Sequence, residues 1–355
     1  MNSAAIEYDG QNKYIRITDI DENSHQYIDS EPVSPDGNLE EKYIVKNNDI
    51  LFARTGASVG KTYLYNAKDG LLYFAGFLIR VNIKKPNNSY FIFNQTLTER
   101  YKKWVLNTSM RSGQPGINSQ EYGEYNIYYP SVLEQNKIAE FLSLVDKRID
   151  KQRQLVENLK KYKRGLLSAI FERKIQFSNN EIWLEKKLKE VCNGFDNQRK
   201  PISAELREKG QIPYYGANGI QDYVKDYIFD GEYVLLAEDG GHFDEFSTMP
   251  IAQFINGKAW VNNHAHILQG KDTYNTKFIY YALVHKDIRK YINGTSRAKL
   301  NQEDMWDIQI IVPSFKLQIE IVEYFSKFDK IIKIHENCLK NLEYLKKGFL
   351  QQMFI

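Results

Sequence analysis

Between Val145 and Ile170 apolar side chains recur every seven residues in two adjacent columns, Ile149, Val156, Lys163, Ile170 and Val145, Gln152, Leu159, Leu166. Near the other end the same two columns return as Ile332, Leu339, Lys346, Met353 and Phe328, His335, Leu342, Phe349. A period of seven predicts two long helices whose seams bury each other as a coiled coil, with Ile149, Val156, Leu159, Leu166, Ile332, Leu339, Leu342 and Phe349 in contact. Gln152, His335, Lys163 and Lys346 weaken such a seam but fix its register. The alternative, amphipathic surface helices on a larger domain, does not explain why both copies carry the same columns. Pro130 and Ser131 read as the helix start, and Leu133, Ile138, Phe141, Leu142 and Val145 keep one face apolar.

The helices are copies of one another. Residues 130–171 fall on 313–354 at an offset of 183 without a gap, and 15 of the 42 pairs are identical, among them Pro130/Pro313, Gln135/Gln318, Asp146/Asp329, Asn158/Asn341, Lys163/Lys346, Gly165/Gly348 and Phe171/Phe354. The stretches ahead of each copy are rich in Tyr, Phe, Ile and Val with Gly, Asn and Asp between, which predicts short strands, turns and a few helices. They match faintly. Residues 43–56 lie over 227–240, a strand ending in a polar loop, and residues 111–118 lie over 294–301, a small basic loop before the strand that leads to the proline. The prediction is an α+β tandem duplication, head then helix, twice: 1–130, 131–175, 176–313 and 314–355. Two related heads suit a target with two halves.

A chain of 355 residues fits two or three domains. No apolar run is long enough to span a bilayer and Met1 opens no signal-peptide pattern, so a soluble cytoplasmic protein is expected. Cys192 and Cys338 form neither a disulfide framework nor a metal-ligand spacing. The net charge is +3; the helical segments 131–175 and 314–355 carry +5 and +2, which leaves the heads at −4. Any nucleic-acid binding by the heads must therefore rest on local patches or on a partner's field.

Catalytic motifs do not hold up. Gly56-Ala57-Ser58-Val59-Gly60-Lys61-Thr62 resembles a phosphate loop but has three residues between its glycines where four are required, and the following Tyr63-Leu64-Tyr65 reads as a strand instead of a helix. A glycine turn that lets Arg54, Ser58 and Lys61 project is the better expectation. His264 and His266 alternate on an apparent strand, with His242 in a glycine-rich loop, yet no further ligands complete a metal site, and packed or hydrogen-bonded histidines are expected. There is no nucleophile elbow, no dinucleotide fingerprint and no Asn-Pro-Pro-Tyr or Asp-Pro-Pro-Tyr methylation pocket. What remains is recognition by polar loops on strand ends, whose donors and acceptors read base edges and hold phosphates. The candidates are Arg16, Arg54, Thr55, Ser58, Lys61, Arg111, Ser112 and Gln114 in the first head, and Asn218, His242, Asn263, His264, Arg297 and Lys299 in the second. Any one loop alone reads as a solvated turn; recurrence at matching positions favours contact.

Gln135-Asn136-Lys137-Ile138-Ala139-Glu140-Phe141-Leu142 with Asp146 and Lys163-Arg164-Gly165-Leu166-Leu167 resembles the specificity subunit of type I restriction–modification systems, over essentially the full chain. The signature repeats as Gln318-Ile319-Glu320-Ile321 with Asp329 and Lys346-Lys347-Gly348-Phe349-Leu350. In the heads, Ile50-Leu51-Phe52-Ala53-Arg54-Thr55-Gly56 with Val59-Gly60-Lys61, and Val261-Asn262-Asn263-His264-Ala265-His266-Ile267-Leu268, look like that family's target-recognition domains. The resemblance implies two such domains held apart by an antiparallel helix pair, each reading half of a bipartite double-stranded DNA site. It implies as partners a modification methyltransferase subunit, in two copies, which carries S-adenosylmethionine and docks on the helices, and a restriction subunit that uses ATP; this chain would hold no cofactor. Residues 146–171 as a continuous helix span roughly 39 Å, close to one duplex turn of about 34–36 Å, so the helices are expected to set the gap between half-sites. One departure stands out: the opening helix expected at 183–191 of the second head has no counterpart in the first. A nuclease or methyltransferase with its own recognition module, or a coiled-coil adaptor, is the rival; the first lacks a catalytic cluster and the second leaves two elaborate heads unused.

Overall fold

The computed structural model describes residues 1–110, 113–177, 181–294 and 298–354. Helices of 40 and 39 residues, Val132–Phe171 and Phe315–Met353, run where the heptads predicted them. The chain forms two compact units, and both contain part of each helix: unit 1 is Met1–Gln152 with Cys338–Ile355, and unit 2 is Arg153–Asn337. The sequence boundaries mark the helices, whereas the packing cuts across them.

In unit 1 the strand Asp49–Ala53 lies antiparallel between Thr62–Leu64 and Leu78–Asn82. Its side chains alternate between two cores. Ile50 and Phe52 join Phe91, Tyr101, Ile117, Ala139 and Leu142 of the first helix, and Leu350 and Phe354 of the second. Leu51 and Ala53 join Ile15, Tyr63, Leu72 and Leu78. A strand covered on both faces reads as a continuous apolar run, as 50–53 does. Unit 2 repeats the plan in a larger sheet: Phe229–Ala237 lies antiparallel between Ala252–Val261 and Ala265–Gly270. Val234 and Leu236 face the helix Thr276–Leu283 together with Leu167, Ile170, Leu317, Ile321 and Phe325 of the long helices, and Leu235 faces the opposite core.

The segment 183–191, expected as an opening helix, is instead a strand, Leu184–Lys187, followed by one helical turn, Leu188–Val191. Leu184–Lys187 pairs antiparallel with Gln309–Val312 in unit 2. In unit 1 the segment at the same offset, 126–129, is in no strand, and Ile127 and Tyr129 are exposed.

The repeated polar residues fasten each head to its helices. Gln135 and Gln318 are buried at the first turn of their helices. Gln135 accepts the Asn88 backbone N–H (3.1 Å) and donates to the Pro130 carbonyl (3.1 Å); Gln318 accepts from Asn275 (2.9 Å) and donates to Pro313 (3.1 Å). Asn88 and Asn275 in turn cap head helices through Phe91 and Phe278, each at 3.0 Å. The heptad lysines are reciprocally paired: within unit 1 Lys346 meets Asp146 at 2.7 Å, and within unit 2 Lys163 meets Asp329. Together with the Phe141–Phe349 rings in unit 1 and Tyr162–Phe328 in unit 2, these pairs make the helices antiparallel inside each unit. Both aspartates also accept a head tyrosine hydroxyl, from Tyr90 and from Tyr281. The columns face inward as expected, with Ile149, Val156 and Ile332 buried and Leu159, Leu166, Leu339, Leu342 and Phe349 partly so.

Burial pushes the His25 pKa in unit 1 below its ordinary 6.5, against the opposing effect of the Thr62 carbonyl 2.8 Å from Nδ1. Protonation is thus easier in the unfolded chain, so this stability is full above pH 6.5 and is lost as pH falls below it. Protection factors of unit 1, that is, exchange corrected for its intrinsic pH dependence, are expected to fall from pH 7 to 5, and His25→Gln should flatten that response; an unchanged slope would remove His25 as its source.

Candidate functional site

The two heads build the same cleft from the same backbone bonds. In unit 1 the central strand runs out at Ala53 into Arg54-Thr55-Gly56, and in unit 2 at Ala237 into Glu238-Asp239-Gly240. Gly56 and Gly240 both hold left-handed backbone (φ 77° and 65°), which turns the chain off the sheet at a cost only glycine avoids. Arg54 donates its backbone N–H to Phe77 (3.0 Å) and accepts from Ile117 (2.9 Å). Glu238 donates to His264 (2.9 Å) and accepts from Leu300 (2.7 Å). Bridges from Thr55 to Gly116 and from Asp239 to Lys299 complete the match. The described parts of the loops that sequence aligned, 113–118 and 298–301, are thereby laid along the ends of their central strands.

Side chains make the clefts differ. That of unit 1, about 500 Å3, is lined by Asn2, Arg54, Thr55, Phe77, Asn118 and Glu121 with backbone of residues 76, 116 and 117. Arg54 is exposed and its guanidinium makes no hydrogen bond or ion pair among the described residues, and Gln114 stands beside Gly56, its Nε2 3.2 Å from where a Cβ would be. That of unit 2, about 430 Å3, is lined by residues 217–221, Asp239, Gly240 and His264. Here Asn218 donates to the Gly240 carbonyl (2.7 Å), and Asp239 binds His264 Nδ1. The His264 ring is thus oriented with Nε2 left over for a ligand.

Behind the second cleft lies a buried charge network. His266, 1% exposed, bonds Asp196 through Nδ1 (2.6 Å) and the Leu300 carbonyl through Nε2 (2.9 Å). Glu238 meets Arg199 at 2.5 Å and Lys299 at 3.1 Å. Burial opposes the Glu238 carboxylate, but Arg199, Lys299 and His266 outweigh it and hold its pKa below the usual range; Asp196 is held down in the same way by His266, the Ile267 N–H and Arg199. Asp196, Glu238 and His266 lie close enough together to hold a cation. Arg199 already occupies the space between the carboxylates, and both histidine nitrogens face acceptors, so the donor set suits an internal salt-bridge network that fixes Leu300 and Lys299. The two histidines therefore part company, His264 to the cleft and His266 to the core.

Several expected contacts are placed elsewhere. Lys61 does not project: it is buried, with Nζ 3.0 Å from the Ile20 carbonyl and paired with Glu22, because the turn at Gly60 aims it under the sheet. The Arg16 guanidinium is held in a fork by Asp19 (2.7 and 2.8 Å), which leaves it little freedom to meet a ligand. Ser58 sits in the turn beyond Gly56, outside the cleft lining, and His242 turns to Glu245 at 3.3 Å. Asn263 is exposed beside the second cleft, and Lys299 is half exposed but committed to Glu238. Arg111, Ser112 and Arg297 lie outside the described residues. Phe77, Asn2 and Gln221 were not anticipated; an aromatic in an aromatic-rich head gives no sign of being exposed.

The model for the type I restriction modification DNA specificity domain matches residues 1–161 and again 180–344. The chain is 41% identical over 155 residues to a putative type I restriction enzyme specificity subunit of Haemophilus influenzae, covering 41% of this chain and 40% of that protein. It is 24% identical over 145 residues to the EcoprrI specificity subunit of Escherichia coli (39% and 35%), and 23% identical over 338 residues to the MjaVIII specificity subunit of Methanocaldococcus jannaschii (86% and 78%). The chain thus spans well under two thirds of the first two relatives. Its fold is that of the type I S subunit from M. genitalium, with a TM-score of 0.59, 18% identity, and coverage of 100% and 93%.

Proposed function

The chain belongs to the family of type I restriction modification DNA specificity domains, and from that premise we propose that it is the non-catalytic, sequence-reading subunit of such a complex, each unit reading one half of a bipartite duplex site. The observation that carries this reading is the repeated cleft: one backbone scaffold, two different sets of donors and acceptors. That is the arrangement expected of two readers of unlike half-sites. Methyl transfer with S-adenosylmethionine and ATP-driven restriction belong to the modification and restriction partners. Two modification subunits dock on the long helices, a reading supported by exposed apolar side chains there, including Leu144 and Tyr344 in unit 1 and Tyr162 and Ile334 in unit 2. It is supported also by Gly165 and Gly348, helical glycines at which, among the described residues, nothing beyond the helix's own backbone lies within 4 Å of an added Cβ. A glycine inside a helix costs about 1 kcal/mol relative to alanine, so its appearance within the last two turns of both helices points to close approach by a partner. Among the described residues no helix is long and apolar enough to cross a membrane, and the cytoplasm is the compartment in which such a complex meets DNA.

The purified chain is expected neither to methylate nor to cut DNA, and to bind specifically only with its modification subunit, because heads with a net charge of −4 release few counterions. In the complex, Arg54→Ala should weaken binding by ~1–3 kcal/mol. Loss confined to one base position marks base contact, and uniform loss with a shallower salt slope marks phosphate contact. Binding unaffected by the substitution, or methyl transfer by the isolated chain, would overturn the proposal.

A further inference from the structure

Phe77 and His264 occupy one position in two heads. Each immediately precedes the strand that pairs with the end of the central strand, Leu78 against Ala53 and Ala265 against Ala237. Each gives its carbonyl to the first residue beyond that central strand, Arg54 or Glu238, and each lines the cleft of its unit. The position therefore has a fixed backbone and a free side chain. In unit 2 it carries an imidazole oriented by Asp239. In unit 1 it carries a phenyl ring left 64% exposed, whereas other aromatics of the same head, such as Tyr14, Tyr63 and Tyr73, are buried. A ring held out on a rigid strand end, beside an unpaired Arg54, has no donor or acceptor to offer. Of the features that base pairs present in the major groove, only the C5-methyl of thymine is apolar.

We infer that position 77/264 sets the heads to different half-sites, and that Phe77 reads a thymine methyl in the half-site met by unit 1. This rests on the DNA-reading function proposed above. The burial of one methyl group is expected to be worth about fourfold in affinity.

The test uses the full chain assembled with its modification subunit and duplexes randomised in two blocks. The parent complex should select a bipartite motif; if it selects none, the DNA-reading proposal falls and this inference with it. On the selected duplex, thymines are replaced one at a time by deoxyuridine, which removes only the methyl. The parent should lose about fourfold at one thymine in one half-site, Phe77→Ala should bind as weakly as that and lose nothing further on uracil substitution, and Phe77→Leu should keep part of the discrimination. The substitutions are at an exposed side chain, so folding is retained, and selection by the other half-site serves as the internal control. The DNA-reading proposal would stand and the inference fail if the parent motif were insensitive to uracil throughout, if Phe77→Ala weakened all sequences equally, or if its effect appeared in both half-sites.

Discussion

Phe354→Ala is expected to unfold the head at the opposite end of the chain. Phe354 is 6% exposed and packs tilted against Phe91, ring centroids 5.3 Å apart, inside the core that holds Ile50, Phe52 and Tyr101. Replacing a buried phenylalanine by alanine costs about 3–5 kcal/mol, from lost transfer energy and the cavity left behind. That is a large share of the roughly 5–15 kcal/mol that holds a domain folded. Hydrogen exchange should therefore accelerate in Asp49–Ala53, Ser89–Gln95 and Glu99–Ser109, while Phe229–Ala237 and Thr276–Leu283 keep their protection. Fraying limited to the last turn of the second helix, with no change at residues 49–53, would show that this core does not depend on the helix end.

The second large effect is expected at the repeated glutamines. Gln318→Leu keeps the volume but removes the acceptor of the Asn275 N–H and the donor to the Pro313 carbonyl, both in a site 1% exposed. Each buried group left unsatisfied costs about 1–3 kcal/mol, so a loss of about 2–6 kcal/mol falls on unit 2. Gln135→Leu should do the same to unit 1 through Asn88 and Pro130. Of the four tryptophans only Trp104 lies in unit 1; Trp183, Trp260 and Trp306 lie in unit 2. In a Trp104→Phe background, urea unfolding followed by fluorescence thus reports on unit 2 alone. Its midpoint should drop in Gln318→Leu and stay put in Gln135→Leu. Equal shifts in both would mean that the units unfold together and that the glutamines do not act locally.

Much of this was legible because it is written twice. The offset of 183 exposed Gln135/Gln318, Asp146/Asp329 and Lys163/Lys346, and each pair occupies equivalent positions in the fold. The run 50–53 announces its strand through apolar residues on both faces, and the alignment of its polar exit at 54–56 with 238–240 corresponds to shared backbone hydrogen bonds in the fold. Side-chain direction was not legible. A lysine after a glycine turn reads as a projecting cation, yet Lys61 points to the Ile20 carbonyl because the path of the turn, which residue types do not encode, decides the face. Arg16 was opaque for a simpler reason: Asp19 three residues on is close in sequence, but only the short helical turn between them makes a fork. His264 and His266 share a strand period, and the pleat put them on one side in expectation. The strand instead begins at Ala265, so His264 belongs to the preceding loop and goes its own way. Nor did any local pattern disclose that unit 1 borrows Leu350 and Phe354, since heptads state that helices pair and leave open which stretch of one meets which stretch of the other.

A unit assembled from residues 1–152 and 338–355 has a schedule as well as a structure. During synthesis the first head emerges early but cannot close its core until Phe354 has been made. The second head needs nothing beyond residue 337, and so it can finish first. At roughly 5–20 residues per second the first head waits about 10–40 s for the remaining 200 or so residues. Throughout that interval Phe91 and its neighbours are open to chaperones and proteases. Nascent chains stalled before residue 338 should accordingly show a protected second head and a degradable first one, an inversion of the usual rule that what is translated first is folded first.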